Sequence, residues 1–163
     1  MTICISGCSM IDDFCYWYDG YAIRSFVNEL GLGLPERSIT YNDVVSCLGY
    51  PVEIRNVDDS SAILVYDGIE FLFVCLDEPI DRNINNWSLF TISVYDSKYR
   101  FDHDIAVGCS RKKIIKEFKR AKPIIECEKG EGYTDKGYIY EYYFEYQEDV
   151  VTSISCSSGV FHR

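Results

Sequence analysis

Histidine is scarce in this chain: the 163 residues include only two, His103 and His162. A cysteine nucleophile needs a base such as histidine within hydrogen-bond reach. None of the eight cysteines forms a Cys-x-x-Cys pair of the kind that binds zinc. In Asp102-His103-Asp104, neighbouring side chains of an extended segment point to opposite faces, so we expect a solvated loop. The sequence therefore predicts no catalytic residues, no metal site, no cofactor and no enzyme activity.

The sequence also lacks a long apolar run. No stretch approaches the roughly 20 apolar residues of a membrane-spanning helix. Only seven residues, none of them basic, precede Cys8, which is too little for a lipoprotein signal at residues 5–8. We therefore expect a soluble, cytoplasmic protein without a membrane partner. Its cysteines, several of them in apolar runs, should be reduced and mostly buried, although the sequence leaves open whether any pair.

Lysine is absent from the first half of the chain. Residues 1–81 contain fourteen Asp or Glu against three Arg, a formal charge of −11, whereas residues 82–163 are almost balanced. An acidic surface repels phosphate backbones and attracts basic ones. Direct binding to nucleic acid is therefore disfavoured and a basic partner is favoured. The lysines and arginines of residues 111–122 are expected to form the solvated face of a helix.

What is abundant is aromatic and apolar: 15% and 47% of the residues, with fourteen tyrosines. This composition excludes disorder over most of the length, and the length suits one domain, residues 1–163. Residues 1–39 are ambiguous, because 22–30 fit a helix ending at Gly31 but also strands flanking a turn at Asp19-Gly20.

The second half contains a helix followed by strands. Ser110 is a good N-cap for a helix whose apolar face is Ile114, Ile115 and Phe118, and Pro123 ends it. Residues 137–146 alternate strictly and predict a strand, with Tyr138, Tyr140, Tyr142, Phe144 and Tyr146 on one side. This tyrosine stripe is expected to be core; facing outward, it would instead be a ready protein interface. Residues 150–156 predict a further strand.

The first half has the same order. Thr40 caps a helix with Val44, Val45 and Leu48 on its apolar face, and Asp43 completes a weak capping box. Strands at 62–66 and 69–75 flank Asp67-Gly68, a strong hairpin signal, and 89–94 closes the unit. We therefore predict an α+β fold with two layers: an antiparallel sheet with short helices on one face. Two helix–strand–strand–strand repeats are expected, at about 1–95 and 96–163.

These motifs resemble the tandem-repeat fold of the β-lactamase-inhibitor proteins and the related outer-membrane assembly lipoproteins. The resemblance rests on segments 43–51 (DVVSCLGYP), 66–73 (YDGIEFLF) and 107–110 (VGCS), which match "Leu-Gly-x-Pro" and "Gly-(small)-Ser" patterns of that family. Segment 118–123 (FKRAKP) departs from the pattern because it lacks the glycine. The resemblance spans about residues 38–158 and implies an architecture, without a target or contact residues.

The overall character also resembles immunity proteins of bacterial toxin systems, including contact-dependent growth inhibition. These are small, acidic, cytosolic proteins that neutralise a toxin domain, often a basic nuclease. The resemblance implies that clustered carboxylates steer association with a basic cleft. The predicted partner-binding residues are Asp58, Asp59, Tyr66, Asp67, Glu70, Asp77 and Glu78. The alternatives are an inhibitor of a secreted enzyme such as a β-lactamase and a small-molecule-binding domain.

Overall fold

The protein folds around one eight-stranded antiparallel sheet. The computed structural model describes residues 22–35, 39–75, 79–101, 104–118, 123–127, 130–133 and 141–157. The helices are α1 (Ala22–Glu29), α2 (Tyr41–Leu48) and α3 (Arg111–Glu117), with a 3-10 turn at Ile84–Asn86. The strands are β1 (Glu53–Asp58), β2 (Ser61–Tyr66), β3 (Ile69–Val74), β4 (Ser88–Val94), β5 (Arg100–Phe101), β6 (Ile105–Ala106), β7 (Pro123–Cys127), β8 (Gly130–Tyr133), β9 (Glu141–Gln147) and β10 (Val150–Ser157).

The strand order of the large sheet is β1-β2-β3-β4-β10-β9-β8-β7. We call α2 with β1–β4 the first meander and α3 with β7–β10 the second meander. Each consists of a helix followed by four consecutive antiparallel strands, and the two closing strands, β4 and β10, pair at the centre of the sheet. The strands β5 and β6 form a small separate hairpin.

Local sequence explains how each meander begins. The Thr40 hydroxyl accepts a hydrogen bond from the Asp43 amide, and the Asp43 carboxylate accepts one from the Thr40 amide, which completes the predicted capping box. Ser110 caps α3 through the Lys113 amide, as predicted. These bonds satisfy amides that the first turn of a helix leaves without partners.

One face of the sheet forms the core. Its fully buried side chains include Leu64, Phe71, Ile92, Phe144 and Ile154, and the helices add Phe26, Val44 and Ile114 to the same cluster. The predicted α+β fold, an antiparallel sheet with short helices, is therefore confirmed. The helix alternative for residues 22–30 is confirmed as well, since α1 occupies Ala22–Glu29.

The structure adds strands that the sequence did not predict. All six residues of β1 are exposed, so the strand has no buried alternation to reveal it. Pro123, expected only to end a helix, begins β7, a position that proline tolerates at the outer edge of a sheet. Each predicted three-strand unit is consequently a four-strand meander.

The helix α3 also differs from its prediction. Its described turns end at Phe118, and Ile115, predicted on the apolar face, is 51% exposed. Ile114 and Phe118 carry the contact with the sheet: Ile114 is fully buried, and the Phe118 ring lies 5.5 Å from that of Phe144. A seven-residue helix presents a narrow buried stripe, which leaves no room there for a third large side chain.

Candidate protein-binding face

The face of the sheet opposite the core remains partly exposed. In β3 the core side is Ile69, Phe71 and Phe73, so Glu70 and Leu72 lie on the other side, because successive strand residues alternate. Pairing across the sheet adds Thr91 and Ser93 from β4 and Ser155 and Ser157 from β10. We call this surface the open face. Each of these six side chains is partly exposed.

Hydroxyl groups occupy the centre of the open face. The oxygens of Ser93 and Ser155 lie 2.9 Å apart, and those of Thr91 and Ser157 lie 3.0 Å apart. Both pairs join β4 to β10, and thus the first meander to the second. Each hydroxyl can donate one hydrogen bond and accept two, so the stripe retains capacity for a partner.

The flanks of the hydroxyl stripe differ between the two meanders. On the first meander, Ile63 and Val65 of β2 continue the rows of Leu72 and Glu70 and are partly exposed. On the second, Tyr143 of β9 lies opposite Ser155. The open face therefore combines aliphatic, hydroxyl and aromatic surface, a composition suited to binding protein.

Glu70 is an acidic group near the centre of the open face. Its carboxylate lies 3.6 Å from the Arg55 guanidinium and accepts a hydrogen bond of 3.3 Å from the Tyr95 hydroxyl. Burial, together with the Glu70 charge, raises the pKa of Tyr95, so this phenol stays protonated and able to donate. Glu70 is thus a positioned carboxylate whose charge Arg55 partly offsets.

The predicted acidic residues do not form one patch. Asp58 and Asp59 lie at the turn between β1 and β2, whereas Asp67 lies at the turn between β2 and β3. The strand β2 separates these turns by about 20 Å, since a strand rises roughly 3.3 Å per residue. Glu70 lies at the Asp67 end, and Asp77 and Glu78 lie outside the described residues.

The two turns hold their carboxylates differently. Asp58 accepts hydrogen bonds from the Ser60 amide, the Ser60 hydroxyl and the Ser61 hydroxyl, at 2.8 to 2.9 Å. These bonds lower its pKa, with the Ser60 amide as the largest cause. The Asp67 side chain is 90% exposed and pairs with the Lys98 ammonium. Asp58 therefore carries a fixed negative charge that no cation among the described residues pairs with, while the charge of Asp67 is shared with a lysine.

Tyr66, predicted as an aromatic anchor for a partner, has an internal role. Its hydroxyl donates a hydrogen bond of 2.8 Å to the Gly49 carbonyl, and its ring contacts Phe71 edge to face at 5.7 Å. Burial raises the pKa of Tyr66 to about 12. Tyr66 thus ties the end of α2 to the sheet, and its hydroxyl is already engaged within the fold.

The described part of the tyrosine stripe is core, as predicted. Phe144 is fully buried, and the Tyr142 ring stacks on Phe101 at 5.6 Å and meets Phe26 edge to face at 5.9 Å. Tyr138 and Tyr140 lie outside the described residues. Of the cations on α3, Arg111 lies over the Tyr146 ring and Lys113 donates to the Asp104 carbonyl, while Lys112 and Lys116 are exposed.

The described cysteines and potential metal ligands do not cluster into one site. Cys75 and Cys156 are buried, and burial raises the pKa of the Cys156 thiol, whereas Cys47 is exposed. Within the residues that the structure describes, no three His, Cys, Asp or Glu side chains converge as metal ligands. His103 and His162 lie outside that part of the chain. None of the described helices is long and apolar enough to cross a membrane.

Sequence reasoning missed the hydroxyl stripe. A signal exists in hindsight, because Ser153, Ser155 and Ser157 alternate with the buried Ile154 and Cys156. Alternating small hydroxyls on a strand indicate a surface that is neither core nor strongly charged. The strand that pairs with it, β4, lies about 62 residues earlier in the chain, so the sequence around Ser155 gives no sign of this pairing.

Comparisons with known proteins address the fold alone. No protein-family model and no curated protein matches the sequence. Among solved structures, the chain is similar to an extracellular protein containing an SCP domain from Bacillus anthracis strain Ames, with a TM-score of 0.53 and 7% identity. The match covers 74% of this chain, and this chain spans 43% of that protein. At this level of identity the similarity concerns the fold alone and gives no information about function.

Proposed function

We propose that this protein is a cytoplasmic immunity protein that binds and neutralises a cognate bacterial toxin domain, a nuclease. The observation that supports the proposal is the location of the acidic charge. Residues 39–75 and 79–96 hold eight Asp or Glu against two Arg, and these residues include the whole first meander. Asp58 keeps its carboxylate ionised at an exposed turn.

Nucleases carry basic clefts because they bind phosphate backbones. A carboxylate surface that enters such a cleft replaces the phosphates and blocks access of the nucleic acid. Complementary charge also accelerates the encounter, which matters for a protein that must act before its target does. The proposal includes no chemical step, no cofactor and no direct contact with nucleic acid.

We further infer that the chain is a tandem repeat of two helix-plus-meander units. Each unit begins with a helix capped by a hydroxyl side chain, continues through four antiparallel strands, and ends on a strand that pairs with its counterpart. Such an arrangement suits an extended sheet whose open face meets a protein target. Substituting Ser93 and Ser155 with bulkier residues would test whether that junction is part of the contact.

The experiment is co-expression of the full chain with the protein domain encoded by the adjoining reading frame. We expect growth arrest by that domain to be relieved, and the association rate constant of the purified pair to fall steeply with ionic strength. The double variant Asp58→Asn/Asp59→Asn should associate about tenfold more slowly at low salt. A rate independent of ionic strength would refute the steering by charge.

A matched control lies at the turn between β9 and β10. Glu148 and Asp149 also form an exposed acidic pair at a two-residue hairpin turn, but in the second meander. The variant Glu148→Gln/Asp149→Asn removes the same charge from the same net total. We expect its association rate to remain near that of the unmodified protein. Equal slowing by both double variants would assign the effect to net charge instead of to the first meander.

A second candidate function is inhibition of a secreted enzyme such as a β-lactamase. The two helix-plus-meander units favour it, because the sequence resembles a tandem-repeat inhibitor family. This function requires an oxidising compartment, in which disulfides are expected. Titration of thiols in unreduced, denatured protein separates the two candidates: eight reactive thiols favour the immunity function, and fewer favour the inhibitor. A metabolite retained in native mass spectrometry would instead favour small-molecule binding.

A further inference from the structure

Exposed apolar side chains are concentrated at the outer edge of the large sheet, in β1 and in the residues just before it. Four large hydrophobic side chains of the segment 50–58 are exposed: Tyr50 by 86%, Val52 by 78%, Ile54 by 46% and Val57 by 57%. The strand β1 pairs with β2 on one side, and no described strand lies on its other side. An edge strand directs alternate backbone N–H and C=O groups outward, where they can pair with another chain.

The protection that edge strands usually carry is only partial here. Natural edges are blunted by lysine, proline, bulges or a covering helix. The strand β1 contains no lysine or proline, but Glu53, Arg55 and Asp58 are charged, and one bulge lies between Asn56 and Asp58. Residues Glu53 to Asn56 keep a regular register with β2, which leaves a straight edge of about four residues. A straight, unpaired edge flanked by exposed apolar side chains favours strand addition.

We propose that the edge of β1 receives an extended segment of the partner protein as a ninth strand of the sheet, and that this segment alternates basic and apolar residues. The proposal rests on the proposed function only in taking the partner to be basic. Backbone pairing would supply the affinity, and the two faces of β1 would select the side chains.

The register of β1 defines what the incoming strand must carry. Ile54 lies opposite Leu64 and therefore on the core side of the sheet, where an apolar neighbour would cover it. Glu53, opposite Val65, and Arg55, opposite Ile63, both lie on the open face, where a basic neighbour would pair with Glu53. Arg55 already lies 3.3 Å from Glu53, but Asp58 and Asp59 at the end of the strand leave this edge acidic.

A second copy of the chain fits this edge less well than a basic partner. Each copy carries a formal charge of −10, so two acidic edges would repel at low salt. The basic and apolar alternation of a partner strand removes that repulsion and covers Val52 and Ile54 at the same time. Sedimentation velocity measures the alternative directly, and a dimer that Ile54→Lys converts to monomer would overturn the proposal.

The probe is a synthetic eight-residue peptide that alternates lysine and valine, tested with the full chain by fluorescence anisotropy and by hydrogen exchange. Two further peptides carry backbone N-methyl groups on all lysines or on all valines. Only one edge of the peptide can face β1, so one of these two should bind at least about tenfold more weakly than the parent. Amides of residues 53–56 should gain protection when the parent peptide binds.

Two variants and one control test whether the peptide binds at the edge of β1. Ile54→Lys and Val52→Lys each introduce a charge that repels the peptide and removes its apolar neighbour, and each should weaken binding about tenfold. Ile115→Lys changes a side chain of similar exposure, 51%, on α3 and should bind as the unmodified protein does. Comparable melting temperatures of the three variants would exclude unfolding as the cause.

The outcomes separate this proposal from the proposed function. If both N-methylated peptides bind as tightly as the parent, or if the three lysine variants bind the peptide equally, edge pairing is wrong. If Ile54→Lys still neutralises the toxin domain as well as the unmodified chain, edge pairing is also wrong, and the immunity function stands. If the peptide pairs with β1 but the chain neutralises no toxin domain, strand addition at β1 is supported and the proposed immunity function is wrong.

Discussion

The two meanders reach the same arrangement by different local means. The first begins with a capping box, Thr40 and Asp43, and turns from β2 to β3 through Asp67-Gly68, where Gly68 has a φ of +75°. The second begins with the single cap of Ser110 and turns from β9 to β10 through Glu148 and Asp149, whose φ values are +51° and +62°. Two-residue hairpins demand left-handed backbone, which glycine adopts most readily and which the acidic pair Glu148-Asp149 adopts here.

Charge separates the meanders more sharply than their geometry does. The first is strongly acidic, while the described residues after 96 hold eight Asp or Glu against six Lys or Arg. In both meanders, nevertheless, the positions that face the core are apolar. The comparison teaches that the apolar pattern specifies the sheet and leaves the surface charge of each meander free to serve a partner.

The largest effect should test whether the meanders unfold together. Phe71 and Phe144 are fully buried, one in each meander, and Phe71→Ala or Phe144→Ala should lower the free energy of unfolding by about 3–5 kcal/mol. Because β4 and β10 pair at the centre, either variant should reduce hydrogen-exchange protection throughout the sheet. Loss of protection in one meander alone would show that the two unfold separately.

An intermediate effect should distinguish crowding from backbone strain at two glycines. A Cβ on Gly68 would lie 2.3 Å from the Asp96 Cβ, whereas a Cβ on Gly108, with a φ of +90°, meets nothing within 4 Å. Both substitutions place alanine in left-handed backbone, which costs about 1–3 kcal/mol. Gly68→Ala should therefore be the more destabilising of the two in urea unfolding, and equal costs would contradict the clash with Asp96.

The smallest effect concerns pH. Hydrogen bonds lower the pKa of Asp58, mainly from the Ser60 amide, and that of Asp104, mainly from Arg100, below the ordinary value of 3.8. A carboxylate with a lowered pKa stabilises the fold above its unfolded pKa, and this stability is lost as the pH falls through the folded value. Asp58→Asn and Asp104→Asn should each make unfolding by urea less sensitive to acid.

Salt should separate these two carboxylates. At about 1 M NaCl, where the Debye length is roughly 3 Å, the attraction between Arg100 and Asp104 is screened. The hydrogen bonds that Asp58 accepts from Ser60 and Ser61 involve uncharged donors and should persist. The acid sensitivity removed by Asp104→Asn should therefore shrink in salt, and an equal response of both sites would contradict these assignments.

Local signals predicted much of the fold. Thr40, Ser110 and Asp67-Gly68 were identified because caps and tight turns depend on residues only two to four positions apart. The strand β1 was missed because an edge strand with both faces exposed has no buried alternation. The prediction for Ile115 was wrong because it assigned three large side chains to the buried face of α3, and this short helix buries fewer.

The candidate site was predicted only in part. The sequence identified Asp58, Asp59, Asp67 and Glu70 as acidic surface, and the described residues place them in the first meander. The sequence did not reveal that Tyr66 would use its hydroxyl on Gly49, or that Asp67 would pair with Lys98. Both contacts join segments that are 17 and 31 residues apart.

By itself the sequence determined the acidic first half, the capped helices, the hairpin turns and an α+β composition. Each of these follows from residue type or from neighbours along the chain. Only the tertiary structure decided that β4 pairs with β10, that Glu70, Ser93 and Ser155 share one row, and that Asp58 and Asp67 lie at opposite ends of β2. Pairing of β4 with β10 brings together residues that are 62 positions apart in the sequence. The register of this pairing is selected by the burial of the whole apolar face of the sheet, and no local preference of the chain can specify it.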